Sequence, residues 1–311
     1  MMSHASLYRV LHVLTFAVLL FASIPASAED VTVEHLGIEL RGNLLKAAEK
    51  PLTDTGVVLI VHGTLAHHGM EIIAALQKGL QAQGVASLAI TLSLGIHARR
   101  GMFDCALEHD HRQSDAVDEI AAWVAFVKGL GASRIALAGH SRGAAQVAAY
   151  GLSAPDPAVD RLLLLAPLAD TDNEVAANYK TLHGGELAAL LQAARKLVES
   201  GEDDSALAAP GFLYCKSVRV TAAAFLDYYG EAPATAVIGR LRDLKLPVLV
   251  VAAGADALAP DVAARITSVV PGNHVQVVVI DGANHFFRDL FGDELVEHVQ
   301  AFWMQPATVG R

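Results

Sequence analysis

The chain has 311 residues, 53% of them hydrophobic, and a formal net charge of -10. That length and composition bury a large core in one or two domains and exclude a disordered polymer. The acidic balance, offset by no basic patch, excludes a partner held through nucleic-acid phosphates, because such binding needs Lys and Arg to displace counterions.

Residues 1–28 read as a secretory signal: Arg9 gives the positive flank, Val10 to Ala22 an apolar run, and Ala26-Ser27-Ala28 a small-residue cleavage pattern. His12 and Thr15 interrupt the run, which stops short of the ~20 residues a spanning helix needs. The expected product starts at Glu29, keeps no stable membrane anchor and is periplasmic or secreted. In such an oxidising compartment Cys105 and Cys215, the only cysteines, are candidates for a disulfide; the alternative is a pair of buried thiols.

Two short alternating stretches around Gly37 and Gly42, within Val31 to Lys46, predict an antiparallel strand pair. Buried strands then alternate with helices. Val57 to Val61 is a continuous β-branched and aliphatic run, Met70 to Gln83 reads as helix, and Val85 to Leu92 as strand. A His-rich loop, Gly95 to His111, leads to a helix starting at Gln113 or Ser114, with Val117, Ile120, Val124 and Val127 at helical spacing. Arg134 to Ala138 is a strand, Ser141 to Leu152 a helix, and Arg161 to Ala166 a further buried strand. This rhythm implies a parallel sheet covered on both faces. Between residues 168 and 240 the rhythm breaks; helices are expected at 185–200 and 218–229, and no buried strand is expected to interrupt the stretch, which reads as a helical cap inserted into a domain spanning 29–311. Strands resume at Pro247 to Ala253 and Val275 to Ile280, and a last helix runs from about Phe286 to Trp303.

The strongest chemical signal is Gly139-His140-Ser141-Arg142-Gly143, between a predicted strand and a predicted helix. A pentapeptide this simple arises by chance in roughly one chain in ten of this composition, so its context decides its meaning. Glycines at its ends allow a tight turn that holds a serine hydroxyl proud of the sheet, with the following backbone N–H aimed at a developing oxyanion. A serine hydroxyl is a poor nucleophile at neutral pH and needs a base, itself oriented by a third group. Strand ends supply both: Asp256 follows the strand ending at Ala253, and His285 follows the strand ending at Ile280. Asp256 could instead cap the next helix, leaving Asp261 and then Asp170 as substitutes. A second oxyanion donor is expected after the first central strand, in His62-Gly63-Thr64, with Thr64 ahead of Leu65. His62 and His140 flank the site without serving as bases. His67, His68, His97, His109, Asp110 and His111 invite a zinc reading, but their spacing matches no helical His-x-x-x-His arrangement. No metal and no cofactor is expected. Arg99, Arg100 and Asp104 are expected to form local ion pairs.

From Val-His-Gly at 61–63 through Gly-His-Ser-Arg-Gly to Asn-His at 284–285, in the chain order Ser, Asp, His, the sequence resembles the α/β-hydrolase superfamily over nearly all of its mature length. The resemblance implies an eight-stranded, mostly parallel sheet flanked by helices, a cap inserted after the sixth strand, and chemistry at the strands' carboxyl ends. It departs at the oxyanion turn, where His62-Gly63-Thr64-Leu65 lacks the extra glycines of lipase-type motifs. The expected enzyme is a secreted serine hydrolase that cleaves an ester or related acyl bond through Ser141, His285 and Asp256, with the N–H groups of Arg142 and Thr64 as oxyanion donors. Phe212, Phe225, Tyr228 and Tyr229 in the cap point to an apolar acyl or alcohol group on a small-molecule acyl substrate. An acyltransferase on the same three residues, and a non-catalytic binding protein of this fold, are the competing readings.

Overall fold

A computed structural model describes residues 28–47, 50–153, 155–168, 171–207, 210–230, 237–270 and 274–306. The expected signal, apart from Ala28, and Asp170 lie outside the described residues. No helix among the described residues is long and apolar enough to cross a membrane.

Strands β1 (Glu29–His35) and β2 (Ile38–Leu45) form the expected hairpin. Its turn residues Leu36 and Gly37 both have positive φ, as the twist of a tight hairpin demands. A short helix α1 (Leu52–Thr55) precedes β3 (Val57–Val61), then come α2 (Glu71–Ala82), β4 (Ser87–Thr91), the short β5 (Glu108–His109), α3 (Gln113–Gly129), β6 (Ile135–His140), α4 (Arg142–Leu152) and β7 (Val159–Leu165). After a mainly helical insertion come β9 (Val248–Ala253), α9 (Val262–Val269), β10 (Val275–Ile280) and α10 (Leu290–Met304). Eight strands make one sheet in the order β1-β2-β4-β3-β6-β7-β9-β10. Pairing is antiparallel at β1-β2 and β2-β4 and parallel everywhere else in the sheet.

Strand β3 shows why the central runs are apolar throughout. Val57, Leu59 and Val61 enter one core with Ile120, Trp123 and Val124 of α3, while Val58 and Ile60 enter the other with Ile73 and Leu76 of α2 and Val299 and Phe302 of α10. Alternate side chains point to opposite faces, so a strand covered on both sides needs hydrophobes at every position.

Between β7, the sixth strand of the sheet, and β9 lie α5 (Asp172–His183), α6 (Leu187–Glu199), β8 (Arg219–Val220), α7 (Ala222–Tyr229) and α8 (Val237–Leu241). Two expectations need correction here. Helix α5 was not foreseen, because Tyr179 is its only buried residue and it shows little apolar periodicity. Its ends did carry a signal: Thr171 and Glu174 form a capping box, and Gly184 closes the helix in a left-handed conformation. The insertion is also not free of strands. β8 pairs with β5, too short a contact to leave a periodic pattern. Beside this contact Cys105 and Cys215 are joined in a disulfide, with Cα atoms 5.6 Å apart. The His-rich loop and the insertion are therefore fastened twice.

Candidate active site

The turn from β6 into α4 carries Ser141 at φ 56 and ψ -121, a backbone state that L side chains avoid and that costs about 1–3 kcal/mol. The Ser141 N–H donates to the Leu165 carbonyl at 2.8 Å, which ties the turn to β7. Close packing requires the flanking glycines: a Cβ on Gly143 would stand 2.5 Å from the His62 carbonyl oxygen, and one on Gly139 2.2 Å from that of Gly143. A cavity of about 130 Å3 opens in front of Ser141, shared with Thr64, Met102, Tyr214, His285 and Phe286.

Asp256 and His285 come from the turns after β9 and β10. Those turns are bonded to one another, Gly254 N–H to the Ile280 carbonyl at 2.9 Å and Ala255 N–H to the Ala283 carbonyl at 2.8 Å. The carboxylate Oδ2 of Asp256 accepts from Nδ1 of His285 at 2.7 Å, and Oδ1 accepts from the N–H groups of Leu258 at 2.8 Å and Ala259 at 3.2 Å. One side chain thus orients the imidazole and closes its own local turn. Burial pushes the Asp256 carboxyl upward, but the hydrogen bond and charge of His285 and the two backbone donors outweigh it, so its pKa is lowered and it stays ionised. With Nδ1 as donor, Nε2 carries the lone pair. Asp261 instead begins α9 in a left-handed conformation without a side-chain cap.

His62 and His140 hold this machinery in place. Nδ1–H of His62 donates to the Gly63 carbonyl at 2.8 Å, while Nε2 accepts from Leu92 N–H at 3.1 Å and Arg99 Nη2 at 3.2 Å. Burial, with the Arg99 charge, holds its pKa well below the ordinary value, so the ring is neutral. His140 donates from Nε2 to the His285 carbonyl at 2.8 Å, and burial lowers its pKa to about 4. Thr64 lies in the turn after β3, which this His62 brace anchors. Arg142 opens α4, where its N–H has no acceptor within the helix. Their side chains meet, Arg142 Nε donating to Thr64 Oγ1 at 3.2 Å.

The loop histidines do other work. His109 is fully buried, its ring centroid 4.7 Å from Phe212 and 5.1 Å from Phe103, and burial lowers its pKa to about 3. Glu119 of α3, also buried, accepts from Ser93 N–H at 2.8 Å and from the Ser93 hydroxyl, with His111 Nε2 3.5 Å away. No group of three or more metal-ligating side chains gathers among the described residues. The expected local ion pairs are corrected: Arg99 is buried against the Leu92 and Gly101 carbonyls, Arg100 pairs with Asp30 at 3.6 Å, and Asp104 accepts from Ala106 N–H. A guanidinium has enough donors to satisfy several carbonyls at once, which serves a buried loop better than one exposed pair.

A model described as the alpha/beta hydrolase family matches residues 58–298. The chain belongs to this family. Solved structures agree on the fold of this alpha/beta hydrolase. Est1E from Butyrivibrio proteoclasticus, solved with ferulic acid bound, is 20% identical, with 88% of this chain and 97% of that one covered and a TM-score of 0.62. The alpha/beta hydrolase GrgF from Penicillium sp. sh18 is 16% identical, with 91% and 100% covered and a TM-score of 0.63. The esterase domain of a Rhodothermus marinus protein is 16% identical, with 89% and 97% covered and a TM-score of 0.55. No curated protein sequence matches the chain.

In this alpha/beta hydrolase a second cavity, of about 280 Å3, lies under the insertion. Leu168, Val175, Leu213, Tyr228 and Tyr229 line it together with Arg142, and Thr64 and Tyr214 line both cavities. Sequence reading missed Tyr214, Met102 and Phe286 as site residues. Tyr214 had one available signal, its place beside Cys215.

Proposed function

We propose that this alpha/beta hydrolase is a serine esterase that works through an acyl-enzyme at Ser141. In this reading Ser141 Oγ attacks the carbonyl carbon of a carboxylic ester while its proton passes to Nε2 of His285, and Asp256 stabilises the imidazolium that forms. The N–H groups of Arg142 and Thr64 receive the oxyanion. Collapse of the tetrahedral intermediate breaks the bond to the alcohol oxygen, which takes the proton from His285. Water, deprotonated by His285, then attacks the acyl-enzyme, and the acid leaves as Ser141 regains its proton.

The observation that carries the reading is the Asp256–His285 contact of 2.7 Å next to a strained serine that shares a cavity with the same imidazole. The leaving oxygen has to face His285, so the alcohol portion belongs in the smaller cavity and the acyl portion in the larger one beside Thr64 and Arg142. A small acyl group fits 280 Å3. The ferulic acid of Est1E supports a substrate of that class. The disulfide and the leader pattern of residues 1–28 support an enzyme of the periplasm or the extracellular space.

Labelling with a fluorophosphonate, alongside turnover of p-nitrophenyl esters, tests the proposal. The wild type is expected to be labelled and active, and Ser141→Ala to be neither. Ester turnover that survives unchanged in Ser141→Ala overturns it.

A further inference from the structure

The larger cavity holds a cation that has no counter-ion among the described residues. Arg142 reaches into it with its guanidinium 5.4 Å from the centroid of the Tyr228 ring. Of its donors, Nε is engaged by Thr64, whereas Nη1 is shut off from solvent and has no hydrogen-bond partner. Among the described residues no Asp or Glu lines the cavity and Arg142 forms no ion pair. Four hydroxyls of the surrounding wall are already engaged, and its remaining polar side chains Asn178 and Tyr214 are exposed and uncharged. Tyr179 OH donates to the Gly211 carbonyl at 2.8 Å, Tyr229 OH accepts from Leu213 N–H at 2.8 Å, Tyr228 OH lies 3.4 Å from His111 Nδ1, and Thr181 OH donates to the Ala177 carbonyl at 2.9 Å. Tyr179, Tyr228 and Tyr229 therefore present mainly rings to the space, and Arg142 presents charge.

A wholly apolar acyl group seated there would strip water from the solvent-facing part of the half-buried guanidinium and return nothing. A carboxylate would match it, since the planar fork of arginine takes a carboxylate through parallel hydrogen bonds. We infer that the acyl portion of the substrate bears a carboxylate, recognised by the Arg142 side chain, so that the esters cleaved are half-esters of dicarboxylic acids. This rests on the esterase reading for the reaction but not for the binding. The formal net charge of -10 offers no general attraction for anions, so a preference for them has to be local.

The test compares p-nitrophenyl hydrogen glutarate with the neutral p-nitrophenyl hexanoate, of similar acyl length. Wild type is expected to show a higher kcat/KM on the glutarate ester. The ratio of the two values is expected to fall about 10- to 100-fold in Arg142→Gln, the range for a charge-assisted hydrogen bond, and to recover in part in Arg142→Lys. Because the backbone N–H survives these substitutions, the ratio isolates the side chain. A brace that merely holds Thr64 and Tyr228 would depress both esters alike and leave the ratio unchanged, which overturns the inference, as does a wild type that prefers the hexanoate ester.

Binding is read separately. Free glutarate is expected to raise the melting temperature of the wild type more than glutaramide does, and equal shifts overturn the inference whether or not Arg142→Gln folds. Failure of both esters to turn over, with the glutarate shift intact, removes the esterase reading and supports the anion site.

Discussion

Ser141, Asp256 and His285 stand on turns that the sheet itself holds, whereas Tyr214, Tyr228 and Tyr229 hang from an insertion attached to the sheet domain by other means. On the sheet side the support is backbone bonds, Ser141 N–H to Leu165 and Ala255 N–H to Ala283, with one side-chain bond from His140 to the carbonyl of His285. On the insertion side it includes one disulfide, the short β5–β8 pairing and an aromatic cluster in which the His109 ring packs 4.7 Å from Phe212 and 5.4 Å from Tyr228. Parallel strands leave little freedom at their ends, so side chains placed there keep their geometry. An insertion held by so few fastenings can change its lining without disturbing them, which in the proposed esterase would separate the chemistry from the choice of substrate.

Four measurements press on that separation. Asp256→Asn is expected to leave the fold intact and lower kcat/KM by about 10^4-fold, because an amide allows the wrong imidazole tautomer. A small loss in steady-state kinetics would mean that the sheet side does not control the reaction. Replacing Cys105 and Cys215 together by serine opens a loop with a sequence separation of 110 residues and is expected to cost about 4 to 5 kcal/mol on a chain-entropy estimate. Denaturant unfolding checks the value; an unchanged midpoint would show that the insertion needs no covalent fastening.

Acidification probes the buried histidines behind the sheet-side turns. His140 has a folded pKa of about 4 against an ordinary 6.5, so the unfolded chain takes up the proton first. Stability is then whole above about pH 6.5 and falls as pH drops toward 4, by about 3 kcal/mol for this residue. Thermal melts across that range should steepen on the acid side, and His140→Gln, which keeps a donor for the His285 carbonyl, should flatten them. The smallest effect is expected from Tyr214→Ala, which joins the two cavities. It should shift the relative kcat/KM of short and long acyl esters by a few-fold, about 1 kcal/mol or less, with unfolding stability nearly unchanged.

Much of this was legible before any coordinates. Runs such as Val57 to Val61 and Val248 to Ala253 announce strands buried on both faces, and the glycines at 139 and 143 announce a turn too tight for side chains. Helix α5 was missed because helix periodicity reports burial, and a helix buried only at Tyr179 has little to report. Arg99 was misassigned because charge in a polar loop suggests surface ion pairs, and nothing local reveals that its partners are carbonyls and His62.

What the sequence by itself determined is the alternation of elements, the family and the residue types available at each strand end, since these depend on local patterns of polarity and on turn chemistry. Only the tertiary structure decided which distant groups meet: Asp256 rather than Asp261 at His285, Cys105 with Cys215, and Arg142 with the Tyr228 ring. Contacts across such separations follow from how the sheet twists and how the insertion settles on it, and neither leaves a periodic trace along the chain.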